Sequence, residues 1–127
     1  MTFSNLFSYN DIIAQGMRAA QLRNNVIVHN IANVDVPGFK RSIVEFETLL
    51  RQELDNAAAR NRPVDFNNTV PLVHIANEHL FSRLDGNNVD IEAEMVALFQ
   101  NSTRFEVMTM SVMNNYRRIS TVLNANI

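Results

Sequence analysis

The chain has 127 residues, 46% of them apolar, no cysteine and a formal net charge of −2. That length suits one domain with a modest core, and the missing cysteines exclude both a disulfide framework and a thiolate site. The charges are scattered without blocks and no apolar run approaches a membrane span, which argues against a phosphate-binding face, nucleic acid as a partner and a direct membrane span.

The first residues, MTFSNLFSYND, have neither a basic n-region nor an apolar h-region. No cleaved secretory signal is expected, so a location outside the cytoplasm would need another export route. A helical pattern follows. Apolar residues step by four and three through Ile13, Met17, Ala20, Ile27, Ile31 and Val34, with Asn24 as one polar interruption. This is the seam of a heptad helix, predicted over about 10–34, with Ser8, Asn10 and Asp11 as candidate N-caps. A second apolar line, Ile12, Ala19, Leu22 and Val26, runs along the other side.

The helix must stop within NIANVDVPGFKR, residues 30–41. Pro37 lacks an N–H and disfavours helix in the residue before it. Gly38 permits the positive φ of a type II turn. Asn30, Asn33 and Asp35 can satisfy backbone groups freed at the helix end. Phe39 offers an anchor beyond the elbow.

In the middle of the chain, residues 44–60 allow a helix with Leu50, Leu54 and Ala57 on one side. Pro63 and Pro71 bracket a turn or loop. The run LVHIANEHLFSRL is compatible with a short strand or with irregular structure, and the pattern does not decide between them. DGNN at 85–88 signals a turn.

The last segment carries a longer seam: Ile91, Met95, Leu98, Ser102, Phe105, Thr109, Val112, Tyr116, Ile119 and Leu123, again in steps of four and three. Asp90 is a candidate N-cap, and Glu92 and Glu94 suit the positive end of the helix dipole. A helix over 90–123 would be about 50 Å long. It too has a second apolar line, Val96, Phe99, Val107 and Met110, with Thr103 in the gap. A helix apolar on two sides is sandwiched between neighbours. Either the middle of the chain covers the second lines in a three- or four-helix bundle, or other copies of the chain do. The middle is short and polar for the first task, which favours the second. Leu22, Val26, Val96, Phe99, Val107 and Met110 are then candidate contacts between subunits.

No chemical constellation stands out. His74 and His79 are five apart, not the i, i+4 spacing of two ligands on one helix face, and His29 is isolated. DGNNVDIEAE resembles a calcium loop superficially, but the sixth position is Asp90 where glycine is needed. There is no nucleophile elbow or phosphate loop. No catalytic, cofactor or metal residues and no small-molecule substrate are expected. The methionines cluster in the last helix, where packing accounts for them.

Asn30, Ile31, Ala32, Asn33, Pro37, Gly38, Phe39 and Lys40 resemble the N-terminal signature of the flagellar rod, hook and hook-associated family of bacterial axial proteins. Val36 departs from it, standing where threonine is usual. DGNNVDIEAEM followed by a heptad helix is similar to the proximal-rod members of that family. The resemblance covers about 1–45 and 84–127. It implies a mainly all-α, non-enzymatic subunit without cofactor. Its terminal helices, over about 8–35 and 88–127, would pair as a coiled-coil-like core, with the elbow and a variable middle at 36–87, all in a single domain. It further implies polymerisation into the proximal rod across the periplasmic space, after export by the flagellar type III system. The expected partners are other copies, other rod proteins, and proteins of the membrane ring and export-gate junction; torque would pass along the rod. The alternative is a soluble helical adaptor or export chaperone holding a client helix. The elbow discriminates, because an adaptor has no use for it.

Overall fold

A computed structural model describes residues 3–76 and 83–124, with side-chain detail from Tyr9 onward. In chain order the elements are helix α1 (Phe3–Ala32), strand β1 (Ser42–Glu45), helix α2 (Glu47–Ala59), a short 3₁₀ helix (Phe66–Thr69), strand β2 (Leu72–Ile75) and helix α3 (Ile91–Asn124). The fold is mainly helical. α1 and α3 lie antiparallel along each other, with the small middle segment beside one end of the pair.

α1 begins earlier than the pattern predicted. Asn10 and Asp11 lie inside it rather than at its N-cap. The physical reason is that local polar groups are engaged across the helix pair. Asn115 Nδ2 donates to Asn10 Oδ1 at 3.2 Å, and the Tyr9 and Ser111 hydroxyls share a hydrogen bond of 3.1 Å. At its other end α1 tightens through i→i+3 bonds, from Asn33 N to Asn30 O and from Val34 N to Ile31 O. Val36–Phe39 then forms the type II turn. Phe39 N donates to Val36 O at 3.2 Å, and Gly38 has φ +72°.

α2 starts at Glu47 because Ser42–Glu45 is drawn into an antiparallel ladder, from Ser42 opposite Ile75 to Glu45 opposite Leu72. The start of LVHIANEHLFSRL, whose pattern left strand and irregular structure open, is thus a strand at Leu72–Ile75, while 77–82, with His79, lie outside the described residues. α2 ends in a Schellman motif. Arg62 N reaches Ala57 O, Asn61 N reaches Ala58 O, and Asn61 takes the left-handed position at φ 48°. Of the side predicted to carry Leu50, Leu54 and Ala57, Ala57 is buried and Leu54 is exposed, and Glu53 is buried beside Ala57. The Arg62 guanidinium binds Glu53 at 2.8 Å and Asp65 N–H donates to it at 2.9 Å, which makes burial of this carboxylate affordable. α3 starts as predicted: Asp90 Oδ1 accepts from Glu92 N and Ala93 N.

The interior is thin and unusually polar. Its buried apolar residues include Ile13, Ala19, Ala20, Ile27, Phe46 and Val89, mostly small or medium in size. The largest side chains that are fully buried are Glu94, Asn30, Asn87 and Thr69. Gly16 lets the helices approach closely, since a Cβ there would lie 2.9 Å from Met108 Sδ.

The seam on α3 is displaced from the predicted one. Leu98, Phe105, Val112 and Ile119 are half-buried, as are Met17 and Ile31 on α1, while Ile13, Ala20 and Ile27 are buried. Ile91, Met95, Tyr116 and Leu123 are exposed and do not pair with α1. Their place is taken by Glu94, Asn101, Met108 and Asn115, one residue back and therefore about 100° around the helix. Directional hydrogen bonds explain the choice. Asn30 Nδ2 donates to Glu94, Asn101 Nδ2 to Ala20 O, and Asn115 Nδ2 to Asn10. Apolar periodicity alone carries no such direction.

Candidate assembly site

The elbow after α1 and the turn before α3 form one structure. The Asn87 side chain, fully buried, lies across the end of α1 and donates to Asn33 O, Val34 O and Val36 O at 3.1, 3.0 and 2.8 Å. These carbonyls belong to the turn that follows α1, and Asn33 O and Val36 O also accept from the backbone N–H groups of Val36 and Phe39. Asn87 Oδ1 accepts from Val89 N at 2.8 Å, which orients the amide. Backbone contacts add to it: Gly38 N donates to Asp85 O at 2.9 Å, Lys40 Nζ to Gly86 O at 2.6 Å and Arg41 N to Asn88 Oδ1 at 2.7 Å.

Behind this joint lies a second polar cluster. Asn30 is fully buried and pairs with both backbone groups of Ser42: its Nδ2 donates to Ser42 O at 2.8 Å and its Oδ1 accepts from Ser42 N at 3.0 Å. That amide-like pairing fastens β1 to α1. Glu94, also fully buried, accepts from Asn30 Nδ2 and is paired with the Arg41 guanidinium. A lone buried carboxylate would be costly, and the pairing with hydrogen bonds offsets that.

The signature residues therefore divide into two groups. Asn30 builds the joint, and Asn33 Nδ2 donates to His29 O at 2.7 Å within the helix end. Phe39 stacks at a tilt on His29, ring centroids 5.5 Å apart. Ile31 is half-buried. Ala32, Pro37, Gly38 and Lys40 are exposed at the tip of the elbow. Sequence reasoning missed Asn87, Asn88, Arg41 and Glu94 as parts of the site. The pattern gives DGNN as a turn and as part of the family resemblance but not as a clasp on α1, although two adjacent asparagines ahead of an N-cap are the available signal.

The second feature is the outward face of α3. Val96, Phe99, Val107 and Met110 are exposed, Phe99 at 74%. The Thr103 hydroxyl between them donates to Phe99 O at 3.0 Å, so the gap in the stripe makes no outward demand for a donor's partner. Leu22 and Val26 on α1 are half-buried. An apolar groove of about 460 Å³ borders the stripe at Val107 and runs past Ile12, Phe46 and Leu50.

Arg23 on α1 holds the start of α2 through Glu47, at 2.9 and 2.7 Å. Partial burial works to raise the Glu47 pKa, but the Arg23 hydrogen bond and charge, with backbone help, bring it below the ordinary value. The Glu53 carboxyl is also lowered, by hydrogen bonds from Arg62 and from Asp65 N–H. Neither carboxylate belongs to a reactive grouping. Among the described residues, no cluster of histidine and carboxylate side chains could hold a metal ion, and no helix is long and apolar enough to cross a membrane.

Comparison with known proteins gives a consistent answer. The family profile described as "Flagella basal body rod protein" matches residues 12–40. The flagellar basal body rod protein FlgB of Bacillus subtilis is 32% identical over 115 residues, which cover 87% of this chain and 89% of that protein. FlgB of Borreliella burgdorferi is 34% identical over 123 residues, 80% of this chain and 85% of that protein. The flagellar hook protein FlgE of Treponema pallidum is 47% identical over 49 residues, 39% of this chain and 11% of that much longer protein.

Proposed function

Because this chain belongs to the FlgB family of flagellar basal body rod proteins and is a structural subunit of that rod, we propose that it polymerises through the outward stripe of α3. The single observation behind this reading is the exposure of Val96, Phe99, Val107 and Met110 on the side of α3 turned away from α1. A contiguous apolar surface of this kind on a lone chain calls for a partner. Other copies and other flagellar axial proteins are that partner, and the similarity to a hook protein supports assembly with the wider axial set. In this reading the whole chain acts as one unit. The joined elbow sets the angle between the paired helices and the middle segment, and the rigid joint passes torque from the membrane-ring and export-gate end to the rest of the rod. The subunit reaches the periplasmic space by the flagellar type III route.

The experiment replaces Phe99 or Met110 by aspartate. Both side chains are at least half exposed, so Phe99→Asp and Met110→Asp should shift monomer stability by less than about 0.5 kcal/mol. Both should abolish motility and recovery of the protein in isolated basal bodies. Unfolded monomers would mean that the stripe is internal core. Folded, fully motile variants would mean that it is not a rod interface.

A further inference from the structure

α3 presents two different surfaces on two different sides. On one side lies the groove of about 460 Å³, whose walls include Ile12, Gly16, Phe46, Leu50, Val107 and Met108. On the other stands Phe99, the most exposed of the large apolar side chains described on α3. Phe99 and Met108 are nine residues apart, about two and a half helical turns, so they point in opposite directions. Phe99 therefore cannot enter the groove of its own chain. The charges divide in the same way. Glu92, Phe99 and Glu106 follow at seven-residue intervals and share one line, with an exposed carboxylate on either side of the ring. Arg117, on the same side, lies about three turns beyond Glu106. Arg104 points about 160° away from Glu106 and lines the groove. Only Arg23, Glu47 and Arg104 are charged among the lining residues. Arg23 and Glu47 pair at 2.7 Å. Arg104 is exposed and makes no hydrogen bond or ion pair with the described residues, although its charge reaches Glu47. The groove is thus apolar within and carries a net positive charge at its rim, while the knob on the opposite side is a phenyl ring between two acids.

We infer that the stripe docks in the groove of a second copy of this chain: Phe99 of one copy enters the groove of the next, and Glu92 or Glu106 meets Arg104 across the rim. The inference rests on the stripe being an interface between subunits, and it names what that interface docks against. Shape and charge agree. The ring leaves water for an apolar hollow, and the carboxylates stay at the wet edge, where opposite charge sets the register without a large desolvation cost. The symmetry follows from the placement. Knob and groove differ and lie on opposite sides of α3, so each copy keeps one of each free after the first contact. Repeating such a head-to-tail contact adds further copies, whereas a stripe meeting a stripe is self-complementary and stops at a pair.

Charge reversal and cross-linking test the pairing. Arg104→Glu, Glu92→Arg and Glu106→Arg are made singly, and Arg104→Glu is also combined with each of the other two, in strains whose only copy is the variant. All three side chains are exposed, so the purified chains should keep the parent's helix content and melting temperature. Arg104→Glu should lower swimming and recovery of the protein in basal bodies several-fold, and at least one of the two double variants should regain most of that loss. No loss with Arg104→Glu, or no rescue by either double variant, would overturn the inference. The chain has no cysteine, so introduced thiols give a second reading. Met95→Cys, one turn before Phe99, and Leu50→Cys, in the groove wall, are placed on separate chains expressed together, and a short bismaleimide is added to the cells. Dimers linked between positions 95 and 50 are expected in the basal bodies, and none when either variant is expressed alone. Absence of that link, or dimers from Met95→Cys alone, would overturn the inference, the second outcome because stripe would then meet stripe. Motility of Phe99→Asp decides separately whether the stripe is an interface at all. Loss of motility there, together with failed rescue and no 95–50 link, sinks only the groove as its partner.

Discussion

The side-chain amide nitrogen of Asn87 lies 3.0 Å from the carbonyl oxygen of Val34, across 53 positions of sequence. One short side chain from the turn before α3 thereby closes the end of α1. It links the two motifs that carry the family resemblance, and it does so in a site shielded from water.

Replacing Asn87 should be costly. Asn87→Ala removes the amide that joins the carbonyls of Asn33, Val34 and Val36, which keep their bonds to Val36 N, Arg83 and Phe39 N, and destabilisation on the order of 1–3 kcal/mol is expected from the lost hydrogen bonds. Asn87→Asp places a carboxylate against the same oxygens and should be worse than alanine at neutral pH. Its deficit should shrink in acid as the carboxyl gains a proton and can donate. Urea midpoints at pH 7 and pH 4 measure both effects.

Gly38→Val tests the turn. No atom lies within 4 Å of a Cβ at Gly38, so its cost comes from φ +72° and not from a clash. A β-branched residue forced into that region should lose on the order of 1–3 kcal/mol. Gly38→Asn should lose less, because asparagine tolerates the left-handed region. Expression should change little, while motility in a strain carrying Gly38→Val should be impaired; wild-type swimming would refute the requirement for glycine.

The two ion pairs that reach α1 and α3 should differ in worth. Glu94 is fully buried under Arg41 and Asn30, and Glu94→Ala should cost about 3 kcal/mol by stranding both. Glu47 is 62% exposed at its side chain, and Glu47→Ala should cost no more than about 1 kcal/mol. Chemical denaturation of the two variants side by side gives the ranking.

Acid should weaken the α2 region through Glu53. Its folded-state pKa is lowered by the Arg62 and Asp65 hydrogen bonds. A depressed carboxylate contributes stability that is complete above its unfolded pKa, near 4.3, and is lost as pH falls through the folded value. Stability should therefore be flat from neutral pH to about 5 and decline below about 4.3. Glu53→Gln should start lower and show a shallower decline. Glu47 has the same sign, but solvent screening makes its share smaller.

Much of this fold was legible in the chain. The four-three spacing announced two long helices, Pro37 and Gly38 placed the elbow and its turn, and Asp90 marked the start of α3. These are local features, set by backbone sterics and by side chains bonding their own neighbours. The first strand was not legible, because Ser42–Glu45 is extended only through its ladder with β2 and the Asn30 clasp on Ser42. Glu53 was hidden for the same kind of reason, since its partners lie in the following loop.

The sequence by itself determined that α1 and α3 exist, where α1 stops, and that each carries apolar residues on more than one side. Periodicity does this because helix geometry repeats identically at every turn. Only the tertiary structure decided which line of α3 faces α1. The apolar line through Met95 and Tyr116 and the polar line through Glu94, Asn101 and Asn115 have equally regular spacing. The choice between them lies in hydrogen bonds to Asn30, Ala20 and Asn10, whose directions exist only once the two helices are side by side.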